Sequence, residues 1–105
     1  MNKIDISLLG RRLKPILKKN NVEKAILFGS AARGAQTRKS DLDLLIVLKT
    51  DKRFFERYED FEEIPDLLKG SSVDMLIYSP EELERISHRK FIKKILAEGQ
   101  VVYEH

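Results

Sequence analysis

A glycine–serine pair and an aspartate–leucine–aspartate segment, ten residues apart, constrain the fold of this chain more than any other feature. Gly29-Ser30 follows an apolar run typical of a buried strand, and Asp41-Leu42-Asp43 begins a second such run. Because side chains alternate between the two faces of a strand, Asp41 and Asp43 are predicted to share one face and to bind the same cations. The glycine is predicted to begin a tight turn, followed by a short helix whose free N–H groups face a phosphate. The pattern therefore predicts phosphate-binding and metal-binding parts of one site.

A third aspartate, Asp74, lies near the start of another apolar run, residues 73–77. An unpaired buried carboxylate is costly, so this side chain needs a cation, a hydrogen-bonding partner or solvent. If the third strand lies beside the second, Asp74 faces Asp41 and Asp43. Three carboxylates then supply the oxygen ligands that hard divalent cations such as magnesium prefer.

The stretch from residue 28 to 47 resembles the signature of the nucleotidyltransferase superfamily related to DNA polymerase beta. With its short length, the chain is similar to the minimal nucleotidyltransferase (MNT) branch. The resemblance implies the nucleotidyltransferase fold and transfer of AMP from ATP to a hydroxyl group with the help of two Mg²⁺ ions. It implies one set of catalytic and metal-binding residues, namely Asp41, Asp43 and Asp74. Gly29 and Ser30 are predicted to bind the nucleotide, because the glycine lets the backbone approach the phosphates and the serine offers a hydroxyl. Arg33 is a further candidate for phosphate binding, with a solvent-facing arginine as the equal alternative.

The same resemblance implies a protein partner. MNT proteins resemble the antitoxin halves of toxin–antitoxin modules, whose toxin is a small helical HEPN protein that the MNT enzyme adenylylates, often on tyrosine. Two alternatives stay open: a non-catalytic antitoxin that neutralises its partner by forming a complex, and a subunit of a small-molecule nucleotidyltransferase. A pure binding protein has no need for three converging aspartates, which argues against the first alternative. Self-association also stays open.

Composition restricts the remaining possibilities. The 105 residues are enough for a single domain, 1–105, with one core, but too few for a separate substrate domain. The chain has no cysteine and no apolar stretch of the roughly 20 residues that span a bilayer, so a cytoplasmic protein without membrane contact is expected. Residues 3–24 are basic and residues 51–66 are acidic. No aromatic residues interleave with the basic segment as stacking platforms, so direct nucleic-acid binding is not expected.

The hydrophobic periodicity predicts an α/β (α+β) fold with a small mixed sheet flanked by helices. The predicted helices are 4–19, 54–64 and a segment from 80 to 96 with a break near residue 87. The predicted strands are 22–28, 42–48, 73–78 and a short edge strand at 101–103. Within the acidic second helix, Phe54, Tyr58 and Phe61 recur at helical spacing and are predicted to be core residues. Ser79 and Gly99 are the predicted start and stop signals of the last helical segment.

Overall fold

A computed structural model describes residues 5–32, 41–68 and 71–105. Its helices are α1 (Ile6–Lys19), a 3₁₀ helix (Phe54–Phe61), α2 (Glu63–Leu67), α3 (Pro80–Ile86) and α4 (Lys90–Glu98). Its strands are β1 (Lys24–Phe28), β2 (Asp41–Val47), β3 (Ser72–Tyr78) and β4 (Gln100–Glu104). The predicted α+β fold with a small sheet is confirmed. None of the helices in these ranges has both the length and the apolar character needed to cross a bilayer.

The strands form one mixed sheet in the order β3-β2-β1-β4. β1 is antiparallel to both of its neighbours, whereas β2 and β3 run parallel. A parallel pair needs a long crossover between its strands, and the 3₁₀ helix and α2 lie in this connection. The prediction that the third strand lies beside the second is therefore confirmed, as is the short strand at the sheet edge.

Helices cover both faces of the sheet. On one face, α1 and α2 pack with the 3₁₀ helix in a core that includes Leu13, Leu44 and Phe61. On the other face, Ile92 and Ile95 of α4 pack with their sheet neighbours in a second, smaller core. The middle of β2 is fully buried because each of its faces contacts one of these layers, and this explains its unbroken apolar sequence. The start of β2 lies beyond this covered region and is accessible to solvent.

The predicted helix boundaries follow side-chain capping. α1 begins at Asp5, whose carboxylate accepts a hydrogen bond from the Leu8 N–H at 3.0 Å. It continues past Pro15 and ends at Lys19, as predicted, with Asn20 as its C-cap. The Ser79 hydroxyl accepts from the Glu82 N–H at the start of α3, and Gly99 ends α4.

The acidic segment differs from its prediction as a single helix with an aromatic core stripe. It forms a 3₁₀ helix followed by α2, and Pro65 lies inside α2. Phe61 is completely buried and Tyr58 is half-buried, but Phe54 is 37% exposed. A 3₁₀ helix has three residues per turn, so the side chains do not keep the α-helical spacing that the prediction assumed. The core prediction is right for Phe61 and wrong for Phe54.

A charged residue, Arg57, occupies the buried side of the 3₁₀ helix. Its guanidinium donates to both carboxylate oxygens of Glu82, at 2.7 and 3.0 Å, and to the carbonyl oxygen of Ile77 at 2.9 Å. These hydrogen bonds satisfy a cation that would otherwise be costly to bury. The hydrogen bond from Arg57, together with the backbone N–H of Ser79, lowers the pKa of Glu82 to about 2. The pair therefore connects the 3₁₀ helix to the start of α3.

Candidate active site

The register of β2 and β3 brings two of the predicted site residues together. Asp43 pairs with Asp74 across the parallel strands, and Asp41 pairs with Ser72. Neighbouring strands lie about 4.8 Å apart, and residues in register point to the same side. Asp41 precedes Asp43 by two positions and shares its face. All three carboxylates therefore stand at one end of the sheet face that α4 covers further along.

The electrostatics of Asp43 reflect this crowding. Asp41 and Asp74 are exposed, whereas Asp43 is half-buried. Partial burial, and next the charges of Asp74 and Asp41, raise the pKa of the Asp43 carboxyl above its usual value of 3.8. The ionised cluster is thus repulsive, and a positively charged ligand would relieve the repulsion.

Gly29, at the end of β1, packs directly against Asp43. Its φ of +78° lies in the left-handed region, and a Cβ atom at this position would collide with a carboxylate oxygen of Asp43. The preceding residue, Phe28, is the cross-strand partner of Asp43. The glycine therefore allows a tight turn and leaves room for the carboxylate beside it.

The turn continues through Ala32. Ala31 and Ala32 are buried in the core, whereas Ser30 is exposed beside the site. The short helix predicted after Gly29 is not formed in residues 30–32, which remain a turn. Arg33, the third predicted nucleotide-binding residue, lies outside the described residues.

A cavity of about 300 Å³ adjoins Asp43 on the β1 side. Phe28 and Gly29 line it from the sheet, and Phe91 and Lys94 line it from α4. Phe91 is 58% exposed, and its ring packs edge-to-face on Phe28 with centroids 6.0 Å apart. The sequence interpretation missed this pocket. An available signal was Phe91 itself, a large aromatic residue one turn before the buried Ile95 on α4.

Within the described ranges, no three acidic, histidine or cysteine side chains already converge on one point as a ready metal site. The donor set of Asp41, Asp43 and Asp74 nevertheless fits a hard divalent cation, because it consists only of carboxylate oxygens. The pKa of Asp43 is raised first by burial and then by the charges of Asp74 and Asp41, and a bound cation would offset the second of these causes. Asp41, Asp43 and Asp74 are therefore the residues that could hold such an ion.

Comparison with known proteins agrees with this geometry. The model of the family described as "Polymerase beta, Nucleotidyltransferase" matches residues 11–105. A protein of Methanocaldococcus jannaschii, provisionally assigned as a protein adenylyltransferase, is 34% identical over 76 residues. The alignment covers 72% of this chain and 81% of the relative.

Two solved structures share the fold. The structure of a toxin–antitoxin with AMP-PNP contains a chain that matches with a TM-score of 0.70 at 21% identity, covering 91% of this chain and 73% of that chain. A second match, with a TM-score of 0.64 at 16% identity, is from a tri-AMPylated Shewanella oneidensis HEPN toxin in complex with an MNT antitoxin. It covers 96% of this chain and 74% of that chain.

Proposed function

Because the chain belongs to the polymerase beta nucleotidyltransferase family, we propose that this nucleotidyltransferase transfers AMP from ATP to a hydroxyl group of a partner protein. The observation that carries the proposal is the position of Asp43, which contacts Gly29 on one side and is in register with Asp74 on the other. A phosphate approaching the glycine backbone would therefore lie beside the carboxylates.

ATP is the proposed donor for two reasons. The Methanocaldococcus jannaschii relative is provisionally assigned as an adenylyltransferase, and a structure with the same fold was solved with AMP-PNP. In addition, the exposed Ser30 hydroxyl stands next to a glycine without a side chain, an arrangement that lets phosphate oxygens approach the backbone.

The proposed step is a displacement at the α-phosphorus of ATP. The acceptor oxygen forms a bond to this phosphorus, the bond to the bridging oxygen of the β-phosphate breaks, and pyrophosphate leaves. Asp74, exposed on β3, accepts the proton of the attacking hydroxyl. Gly29 and Ser30 position the triphosphate, and the acceptor approaches Asp74 on β3, the edge strand of the sheet.

Asp41, Asp43 and Asp74 are the proposed ligands of two Mg²⁺ ions. When bound, the ions would neutralise the phosphate oxygens and favour ionisation of the attacking hydroxyl. The protein would supply the ligands on two paired strands of a buried sheet, which keeps their spacing constant.

A tyrosine of a HEPN-type toxin is the proposed acceptor. This proposal is supported by the shared fold with a chain from a complex of an MNT antitoxin and an AMPylated HEPN toxin. The open surface around the exposed Asp41 and Asp74 is compatible with a protein acceptor, because a side chain on a folded partner can reach an exposed carboxylate.

Incubation with labelled ATP, Mg²⁺ and the product of a neighbouring HEPN gene tests the proposal. Mass analysis should find one or more AMP additions on a tyrosine of the partner, and EDTA should abolish them. An unmodified partner, combined with rapid nucleotidylation of a free small molecule, would overturn the choice of acceptor.

A further inference from the structure

The cavity between β1 and α4 and the carboxylate of Asp74 lie on opposite sides of Asp43. Strand order places β3, with Asp74, on one side of β2 and β1 on the other. The cavity is lined by Phe28 and Gly29 of β1, and no β3 residue lines it. A hydroxyl that gives its proton to Asp74 would enter on the β3 side. The β1 side is then left for the nucleotide.

One wall of this cavity is an exposed aromatic ring. Phe91 makes its edge-to-face contact with the buried Phe28, at an interplanar angle of 83°. This contact supports the ring while more than half of the side chain stays accessible. A large aromatic side chain that is half exposed on the wall of a cavity beside a charged site offers apolar surface to a ligand. Bases stack on such faces.

The same helix adds two charged residues to the cavity, Lys94 and Glu98. Lys94 lies three positions after Phe91, which is one turn of α4, and also lines the cavity. Its ammonium group is the chemistry that binds phosphate oxygens as a point charge. An aromatic wall, a lysine and the turn at Gly29 together match a base joined to phosphates. The volume of about 300 Å³ lies at the lower end of small-ligand sites.

We propose that the cavity between β1 and α4 binds the nucleoside part of the donor, with the base stacked on Phe91 and Lys94 binding the phosphates. This inference rests on the proposed nucleotidyl transfer and adds the residues that hold its donor. Stacking depends on the ring face and little on the identity of the base. The pocket should therefore accept adenine and guanine nucleotides with similar affinity.

The test measures binding without any acceptor. Titration calorimetry with Mg²⁺ compares AMP-PNP, GMP-PNP and inorganic tripolyphosphate on the full chain and on Phe91→Leu. Loss of the ring should weaken both nucleotides by about tenfold, within the range reported for base–aromatic stacking, and leave tripolyphosphate binding unchanged. Phe91→Tyr, which keeps an aromatic ring, should bind both nucleotides as tightly as wild type does. The matched control is Phe55→Leu, which removes a ring that is 85% exposed on the 3₁₀ helix. This variant should bind both nucleotides as wild type does.

Lys94→Met should weaken binding of the nucleotides and of tripolyphosphate by a similar factor. Its control is Lys93→Met, an exposed neighbour on α4, which should bind all three ligands as wild type does.

If Phe91→Leu binds AMP-PNP as wild type does, the inference is overturned. A rise in the acceptor KM with unchanged AMP-PNP affinity would assign the cavity to the acceptor instead. If Phe91→Leu weakens AMP-PNP binding but the wild-type chain transfers AMP to no protein, the pocket is supported and the proposed acceptor is wrong. Failure of the wild-type chain to bind AMP-PNP would overturn both.

Discussion

Gly29 lies beside the carboxylate of Asp43, and a Cβ atom at position 29 would collide with its Oδ2 atom unless that carboxylate moved. Because φ at Gly29 is +78°, the turn would also strain any other residue. Two independent requirements, one of backbone conformation and one of space, thus meet at a single glycine.

Gly29→Ala should lower the free energy of unfolding by about 2 kcal/mol or more, from left-handed strain and from overpacking against the carboxylate. A double-mutant cycle with Asp43→Ala separates the two causes, because the smaller side chain removes the collision. In that background the cost should fall to roughly 1 kcal/mol, the conformational part alone. Urea unfolding of the four proteins provides the measurement. Equal costs in both backgrounds would contradict the packing argument.

Asp43→Asn should reduce transfer by about 100-fold or more, because it removes one of the charges proposed to hold the ions. Without divalent cations, the variant should be more stable than wild type at neutral pH. Because the pKa of Asp43 is raised in the folded protein, its ionised form destabilises the fold. The stability difference between the variant and wild type should therefore grow as the pH rises above 3.8 and vanish below it. Thermal unfolding in EDTA tests whether the variant is the more stable of the two proteins.

The matched control for this variant is Asp66→Asn, an exposed carboxylate on α2. It should leave both transfer and stability near their wild-type values. A correctly folded Asp43→Asn protein with normal turnover would refute the assignment of Asp43 as a catalytic ligand.

Glu82→Gln should destabilise the protein by about 3 kcal/mol at neutral pH, since it leaves the buried Arg57 guanidinium without its carboxylate. Glu82 has a lowered pKa of about 2 against an ordinary 4.5, so its contribution is complete above pH 4.5 and is lost as the pH falls through 2. The difference between wild type and variant in urea unfolding should shrink over that window. Glu63→Gln, in the exposed pair with Lys19, should change stability by only about 1 kcal/mol or less.

Charge reversal at Glu59 and Glu62 should slow association with a basic HEPN-type partner. Both residues are exposed on the acidic segment, and the ion pairs of Lys19 and Lys52 involve other carboxylates, so the reversals leave those pairs intact. The effect should be large at low salt and should fade as ionic strength rises, because long-range attraction is screened. Stopped-flow association rates provide the measurement.

Reversal of two exposed carboxylates on α3, Glu81 and Glu84, gives the same change in net charge at a different surface. It serves as the control and should alter the rate much less. If the two double variants associate equally fast at low salt, the acidic segment is not the contact surface.

Local patterns in the sequence were sufficient for the elements and for part of the site. Strand alternation placed Asp41 and Asp43 on one face, and Ser79 marks a helix start that follows from a side-chain hydrogen bond within three residues. The first helix was predicted from residue 4 but begins at residue 6, because Asp5 is its N-cap. The acidic segment was predicted less well. The burial of Arg57 in this segment depends on hydrogen bonds to Ile77 and Glu82, which are distant in sequence.

The amino-acid sequence by itself determined the strands, the turn at Gly29 and the position of Asp41 and Asp43 on one face of β2. These features depend on the conformational preferences of adjacent residues. Only the tertiary structure decided that β3 pairs in parallel with β2, which places Asp74 in register with Asp43. It also decided that α4 packs over β1, which brings Phe91 and Lys94 next to Asp43. Such contacts depend on strand pairing and helix packing between distant segments, whose energies arise from the whole core rather than from any local pattern.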